Sequence, residues 1–341
     1  MKKSSTPRNI LKLVFLLVLI IASVAIIYGQ RATPYQHDEG TVFGTIYHIT
    51  YQSKDDLHDE ILAELQKVDN SLSMFNKQSI ISQVNANKPV KVNKMFSDVF
   101  TLAQTISRQT DGAFDITVAP LVNAWGFGFK NGVQPTKAVV DSLRQIVGYD
   151  KVALQNGRIV KRDSRVMLDC SAIAKGYGSD CVANLLRRKG IDNFMVEIGG
   201  ELVTSGINEK RLPWKIGVTK PVDDPTQQQE DLQTILNVTD KAMATSGNYR
   251  NFYYKGGRKY AHTIDPKTGY PVQHNILSAT VLADNCATAD AYATSFMVLG
   301  LDGAKKILAK HPELMAYLIY SGPRGENKVW FSESMKGKIL P

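Results

Sequence analysis

The residues best suited to proton transfer in this 341-residue chain lie in the stretch His262-Thr263-Ile264-Asp265-Pro266-Lys267-Thr268-Gly269-Tyr270-Pro271. Asp-Pro followed by Thr-Gly predicts a tight reversal, because Pro presets one φ at about −65° and Gly takes a positive φ without steric conflict. His262 stands just before that turn, at the end of an apparent strand, and an imidazole exchanges protons near neutral pH. A single strand histidine can equally be a buried, hydrogen-bonded one. The rest of the chain decides between the two.

Four other clusters carry chemistry. Asp290 and Thr294 are four residues apart in an alanine-rich helical stretch, so a carboxylate and a hydroxyl share one face with small neighbours, and hard oxygen ligands of this kind suit Mg²⁺. Asp169-Cys170-Ser171-Ala172-Ile173-Ala174-Lys175-Gly176 reads as a strand end entering a helix, where backbone N–H groups and Lys175 would favour a phosphate. Ile198-Gly199-Gly200-Glu201 sets a carboxylate after two glycines, which admits close backbone approach. Asn123-Ala124-Trp125-Gly126-Phe127-Gly128-Phe129 offers aromatic faces to a flat heterocycle such as a flavin. Each also has a structural reading: in that order, a capping or buried hydrogen-bond pair, close packing at a helix start, a β-bulge, and core aromatics.

The elements that must position these groups follow from periodicity. Helices are predicted over 55–71, 97–110, from the Thr136 cap to Val147, and over 286–300 and 302–310. Short strands are expected at 41–51, 152–154, 158–160, 166–169, 194–198, 202–205, 214–218, 233–238, 242–245, 252–255, 260–264, 316–320 and 328–331. Strands and helices are segregated rather than alternating, which predicts an α+β fold with antiparallel sheets.

Leu13 to Tyr28 is an uncharged apolar run preceded by Lys2, Lys3, Arg8 and Lys12, a membrane-targeting segment with its basic end in the cytoplasm. Ser23-Val24-Ala25 is a candidate cleavage site. The apolar run continues past it to Tyr28, which favours an uncleaved anchor over 1–30, followed by a polar linker over 31–40 and one domain over 41–335. The body then lies outside the cytoplasm. Five of the positive charges lie in the first 31 residues, so of the net +9 the exported part keeps +4, too little to argue for nucleic acid. Cys170, Cys181 and Cys286 match no zinc spacing and read as small buried residues.

Taken in order, Gly44-Thr45, Ser73-Met74-Phe75 with Ser79, Gly112-Ala113-Phe114-Asp115 through Pro120-Leu121-Val122 to Trp125-Gly126-Phe127, Ser171 to Tyr177, Gly199-Gly200-Glu201, Thr245 to Arg250, His262 to Pro271 and Asp290 to Thr294 make the exported chain resemble the ApbE family of FAD:protein FMN transferases. The resemblance implies a two-lobed, T-fold-related architecture. It also implies an enzyme that cuts the FAD pyrophosphate with Mg²⁺, passes FMN to a threonine hydroxyl of a partner protein and releases AMP. His262 falls on the family's catalytic histidine. Asp290 and Thr294 fall on its metal ligands, joined by the backbone carbonyl of Ala172 and the backbone at Ala293. Phe43, Phe75, Trp125, Gly126, Phe127, Asp169, Lys175, Glu201 and Ile264 fall where members touch FAD. Phe43 stands where many members have Met, Phe75 where a hydroxylated aromatic is common, and Cys170 and Ser171 where others have glycine. The implied acceptors are membrane-tethered flavin subunits of sodium-pumping quinone reductases or electron-transport complexes, on the outer face of the cytoplasmic membrane. An FAD pyrophosphatase that uses water, and a non-catalytic flavin binder, are the alternatives.

Overall fold

The structure is a computed structural model that describes residues 7–128, 134–221, 231–248, 252–255 and 258–340. Its frame is an eight-stranded sheet in the order β1-β2-β5-β6-β9-β12-β13-β14. In chain order these are β1 (Tyr35–Val42), β2 (Thr45–Gln52), β5 (Phe194–Ile198), β6 (Glu201–Ser205), β9 (Ala242–Gly247), β12 (Ile276–Ala283), β13 (Met315–Ser321) and β14 (Asn327–Phe331). Every pairing in the sheet is antiparallel. Three two-stranded ribbons accompany it: β3 (Val152–Gln155) with β4 (Arg158–Lys161), β7 (Lys215–Thr219) with β8 (Leu232–Asn237), and β10 (Phe252–Lys255) with β11 (Arg258–Ala261).

The helices are α1 (Pro7–Ala32), α2 (His58–Leu72), α3 (Ile80–Asn85), α4 (Lys94–Gln109), α5 (Ala119–Ala124), α6 (Lys137–Arg144), α7 (Ala174–Arg188) and α8 (Cys286–Lys310). Helix α2 buries Ile61, Leu65, Val68 and Leu72, the apolar stripe of the 3.6-residue period. Asn93, Thr136 and Asn285 cap α4, α6 and α8 by accepting the N–H of Phe96, Val139 and Thr288. Helix α8 breaks at Gly300, whose φ of 69° and ψ of −179° are not helical. The two helices expected there are therefore both present.

Helices α7 and α8 lie on the sheet, with α2 against α7 and α4 against α8. At the α7–α8 crossing a Cβ on Gly176 would sit 2.4 Å from the Cys286 carbonyl oxygen, so only glycine permits this approach. The opposite face is covered by the β7–β8 ribbon through Trp214, Val218 and Leu236. A small satellite core of Leu121, Trp125, Val140, Val147 and Ile264 gathers α5 and α6 near the β10–β11 ribbon. The α+β class, the antiparallel sheet and the segregated helices are as the sequence predicts.

Three expectations change. The polar linker over 31–40 is mostly strand: β1 starts at Tyr35 and pairs with β2 over its whole length. An edge strand needs apolar residues on neither face, and this one buries only Asp38. The single strand expected over 41–51 is interrupted by a two-residue turn, Phe43-Gly44, with φ of 53° and 75°. Residues 166–169 pair with no strand. The amide of Asn85 instead satisfies both backbone groups of Leu168, at 2.7 and 2.8 Å. Phe129, Tyr249, Arg250, Lys2 and Lys3 lie outside the described residues.

Helix α1 contains Ile10–Gly29, 20 residues long and apolar enough to cross a membrane, with its side chains exposed. The three cysteines are free and buried.

Candidate active site

A cavity of about 430 Å³ opens between the satellite core and the main body. The satellite side supplies Val122, Phe127, His262, Ile264 and Pro266, and the body supplies Asp169, Ala172, Lys175, Glu201, Asp290 and Thr294. Nine of the sequence-expected site residues are therefore brought to one space: His262, Phe127, Asp169, Lys175, Glu201, Ile264, Ala172, Asp290 and Thr294. A second pocket of about 230 Å³ holds Phe43 and Phe75 with Met74, and meets the first at Ser171 and Lys175.

Each side chain is held by a local device. Gly199 and Gly200, both at positive φ, make the two-residue turn between β5 and β6, so Glu201 is the first residue of β6 rather than part of a bulge. Lys175, in the first turn of α7, reaches Glu201 Oε2 at 2.5 Å, with the lysine 31% exposed and the glutamate 4%. Asp290 projects from α8 and accepts the Gly176 N–H at 3.2 Å. One turn on, Thr294 shares a 3.2 Å hydrogen bond with Ser246 of β9. Phe43 holds its positive φ with its ring against Gly178, where a Cβ would come within 2.8 Å. A bulky residue in that region is strained, and such strain gathers at ligand sites.

His262 follows β11, half-buried, with the Phe127 ring edge-on at 6.4 Å. The turn behind it is built as its residues predict: Gly269 N–H donates to the Asp265 carbonyl at 2.8 Å and Lys267 N–H to the Asp265 side chain at 2.9 Å. Thr263 is pinned by its hydroxyl donating to Asn248 at 2.7 Å.

The electrostatics favour a cation. Burial raises the Glu201 carboxyl to about 8, opposed by Lys175 and reinforced by Asp290. Burial raises Asp290 too, against the pull of Lys175 and the Gly176 N–H. Burial raises Asp169 as well, relieved by its bonds from Ser171. For Lys175, burial pulls downward, yet the Glu201 and Asp290 charges outweigh it and hold the ammonium above its usual range. The buried acids outnumber the one ammonium. Among the described residues no three His, Cys, Asp or Glu side chains cluster as a metal cage. A cation held here would meet the Asp290 carboxylate and the Thr294 hydroxyl, both hard oxygen donors on α8.

Three expected features differ. Trp125 does not line the cavity: it is 3% exposed, stacks on Tyr260 at 5.8 Å, and donates its indole N–H to the Gly269 carbonyl at 2.8 Å. Gly126, at a φ of 83° and half-buried, is likewise not among the cavity-lining residues. The start of α7 is not an open phosphate cradle, because Ser171, Ile173, Ala174 and Gly176 donate their N–H groups to Asp169, Cys170, Cys170 and Asp290. Lys175 is the cation there. Sequence reasoning did not single out Thr263, Val298 or Asp115 as lining residues. Asp115 carries a local signal, an acid two residues before Thr117, whose hydroxyl donates to it at 2.6 Å.

The comparisons with known proteins accord with this geometry. The ApbE family model matches residues 43–319. An FAD:protein FMN transferase of Haemophilus influenzae is 35% identical over 92% of this chain and 94% of its own length. One of Vibrio cholerae is 37% identical over 83% of this chain and 87% of its own. The solved flavin transferase ApbE from Vibrio cholerae superposes with a TM-score of 0.81 at 34% identity, covering 90% of this chain and 99% of that one. The apo flavinyl transferase ApbE of Pseudomonas stutzeri gives 0.80 at 27% identity, over 90% and 97%. With a family match over most of its length and relatives above 30% identity along nearly all of it, the chain belongs to the ApbE family.

Proposed function

We propose that this protein is an FAD:protein FMN transferase that is Mg²⁺-dependent, modifies a threonine hydroxyl of an exported or membrane flavoprotein subunit, and releases AMP. The observation that carries this reading is the meeting, in one 430 Å³ cavity, of a histidine, a lysine–carboxylate pair and an aspartate–threonine pair.

FAD would lie with its pyrophosphate near Lys175 and one end in the adjoining pocket, where Phe43 and the largely exposed Phe75 offer apolar faces. The acceptor hydroxyl attacks the phosphorus of the FMN half, and the bond to the bridging oxygen breaks, so that AMP leaves with that oxygen. His262 takes the threonine proton. Lys175 stays protonated through its carboxylate neighbours and offers positive charge to the phosphates. Asp290, Thr294 and the carbonyl of Ala172 would hold Mg²⁺, with the backbone at Ala293 beside them. Bound there, the ion supplies charge neutralisation as the P–O bond breaks. Phe127 and Ile264 shield the site from water on the satellite side.

Helix α1 supports anchoring in the cytoplasmic membrane with the body on its outer side, the surface shared with flavin subunits of sodium-pumping or electron-transport complexes. Mass spectrometry of a co-expressed acceptor domain tests the reading. FMN added on threonine is expected. FMN and AMP formed freely, with the acceptor unmodified, would make the protein a pyrophosphatase instead.

A further inference from the structure

We propose that the membrane helix and the catalytic body are joined without a flexible spacer, so that the enzyme serves only acceptor hydroxyls presented within roughly 40 Å of the bilayer surface. This rests on the transferase reading and adds to it a limit on the partner: a polypeptide tethered at, or lying on, the same membrane.

Helix α1 ends at Ala32 and β1 begins at Tyr35, leaving Thr33 and Pro34 between them. Both connecting residues are tied to the body. The Thr33 carbonyl accepts the side-chain amide of Gln52 at 3.0 Å, and the Pro34 carbonyl accepts the Ser53 N–H at 3.0 Å. The anchoring partners are themselves fixed. Gln52 takes the Asn193 side-chain amide on its Oε1 at 2.9 Å, and its N–H donates to the Asn193 carbonyl. One residue further on, Tyr35 donates its hydroxyl to the Ile207 carbonyl at 2.7 Å. Pro34 also has a fixed φ. A Gly/Ser tether of n residues would wander by about 5–6 Å times √n. Two bonded residues have no such freedom.

The strand after this connector sets a distance. β1 is paired with β2 at every residue, so it is a stiff ribbon, and its far end is the Phe43-Gly44 turn. Phe43 lines the pocket that meets the reaction cavity at Ser171 and Lys175. At about 3.3 Å per residue the chain from Ala32 to Phe43 spans at most roughly 36 Å, the greatest height the pocket edge can have above the helix end whatever the tilt. A hydroxyl held much farther out has no route to the site.

The test uses the full chain in nanodiscs with Mg²⁺ and FAD. An acceptor domain is tethered to the same disc through helical spacers of graded length, each residue adding about 1.5 Å. FMN on the acceptor is read by fluorescence and mass. Transfer is expected to fall at least about tenfold once the spacer lifts the acceptor beyond about 60 Å, and to recover when about 30 Gly/Ser residues are inserted between Pro34 and Tyr35. Equal transfer at all spacer lengths, or no recovery with the insertion, overturns the proposal and leaves the transferase reading standing. A mature chain whose intact mass starts after Ala25 overturns it as well. Absence of FMN from every acceptor, including one offered in detergent, removes the transferase reading and this proposal with it.

Discussion

The indole N–H of Trp125 donates to the carbonyl of Gly269 at 2.8 Å, across 144 positions of sequence. Arg144 makes a parallel bond from its Nε to the Lys267 carbonyl at 2.7 Å. Two donors from the satellite core therefore clamp the turn whose first arm carries His262. Trp125 thereby holds, through the backbone, the turn that follows His262.

Trp125→Phe keeps an aromatic ring and removes the donor. A stability loss of about 1–3 kcal/mol is expected, because Gly269 is buried and its carbonyl loses its partner. FAD affinity should be close to unchanged. Thermal melting and FAD titration check this together, and a large loss of affinity with an unchanged melting temperature would return Trp125 to the flavin surface.

Phe75 gives the opposite pattern. It is 72% exposed, so it contributes little to the core. Phe75→Ala should leave the melting temperature unaltered and weaken FAD binding by about 1–3 kcal/mol, as aromatic stacking on a base does. Unchanged affinity in a fluorescence titration would exclude the ring from the flavin site.

Both aromatics are expected from the sequence at the flavin, yet one is buried and the other exposed, which shows what the sequence carries and what it does not. Helix stripes such as Ile61, Leu65, Val68 and Leu72, the Asp265 to Gly269 turn, and the Asp290–Thr294 spacing are local patterns, and local patterns survive in one dimension. Trp125 and Phe75 both look like aromatics near glycine or polar residues. The first is buried with a long-range bond to Gly269 and the second is 72% exposed, and neither fact can be read from the neighbouring residues. The strand over Tyr35–Val42 was hidden for a related reason: an edge strand that buries one aspartate has no apolar alternation to read. Residues 166–169 carry a strand's composition, but Asn85, 83 positions away, takes the hydrogen bonds a neighbouring strand would have used.

Asp290→Asn keeps the shape that accepts the Gly176 N–H while removing the charge. The variant should fold, and its FMN transfer should fall to background at ordinary Mg²⁺, since no neighbouring alanine replaces the carboxylate. Activity measured across a Mg²⁺ titration checks this. Near-normal turnover at low Mg²⁺ would remove Asp290 from the metal site.

Asp180 of α7 accepts the N–H groups of Cys286 and Ala287 at 2.7 and 2.9 Å and so fixes the start of α8 against α7. Burial raises its carboxyl to about 6, against those two bonds. A carboxyl whose folded pKa lies above its unfolded value holds its proton more tightly when folded. Its contribution is therefore present at low pH and is lost as pH rises through the window from about 4 to 6. Asp180→Asn should flatten that part of the stability–pH curve by an amount on the order of 1–3 kcal/mol. Melting temperatures from pH 4 to 7 for both proteins check it, and parallel curves would contradict it.

The mechanism depends most on His262. In His262→Asn the side chain remains polar and of similar size but cannot accept the threonine proton. The measurement is the rate of FMN transfer to an acceptor threonine, with FAD affinity and melting temperature taken on the same protein. A general base at this position predicts a folded variant that binds FAD and Mg²⁺ normally and transfers about 10²- to 10⁴-fold more slowly. Near-normal transfer with a clearly lowered melting temperature would contradict it, and His262 would then be a structural residue.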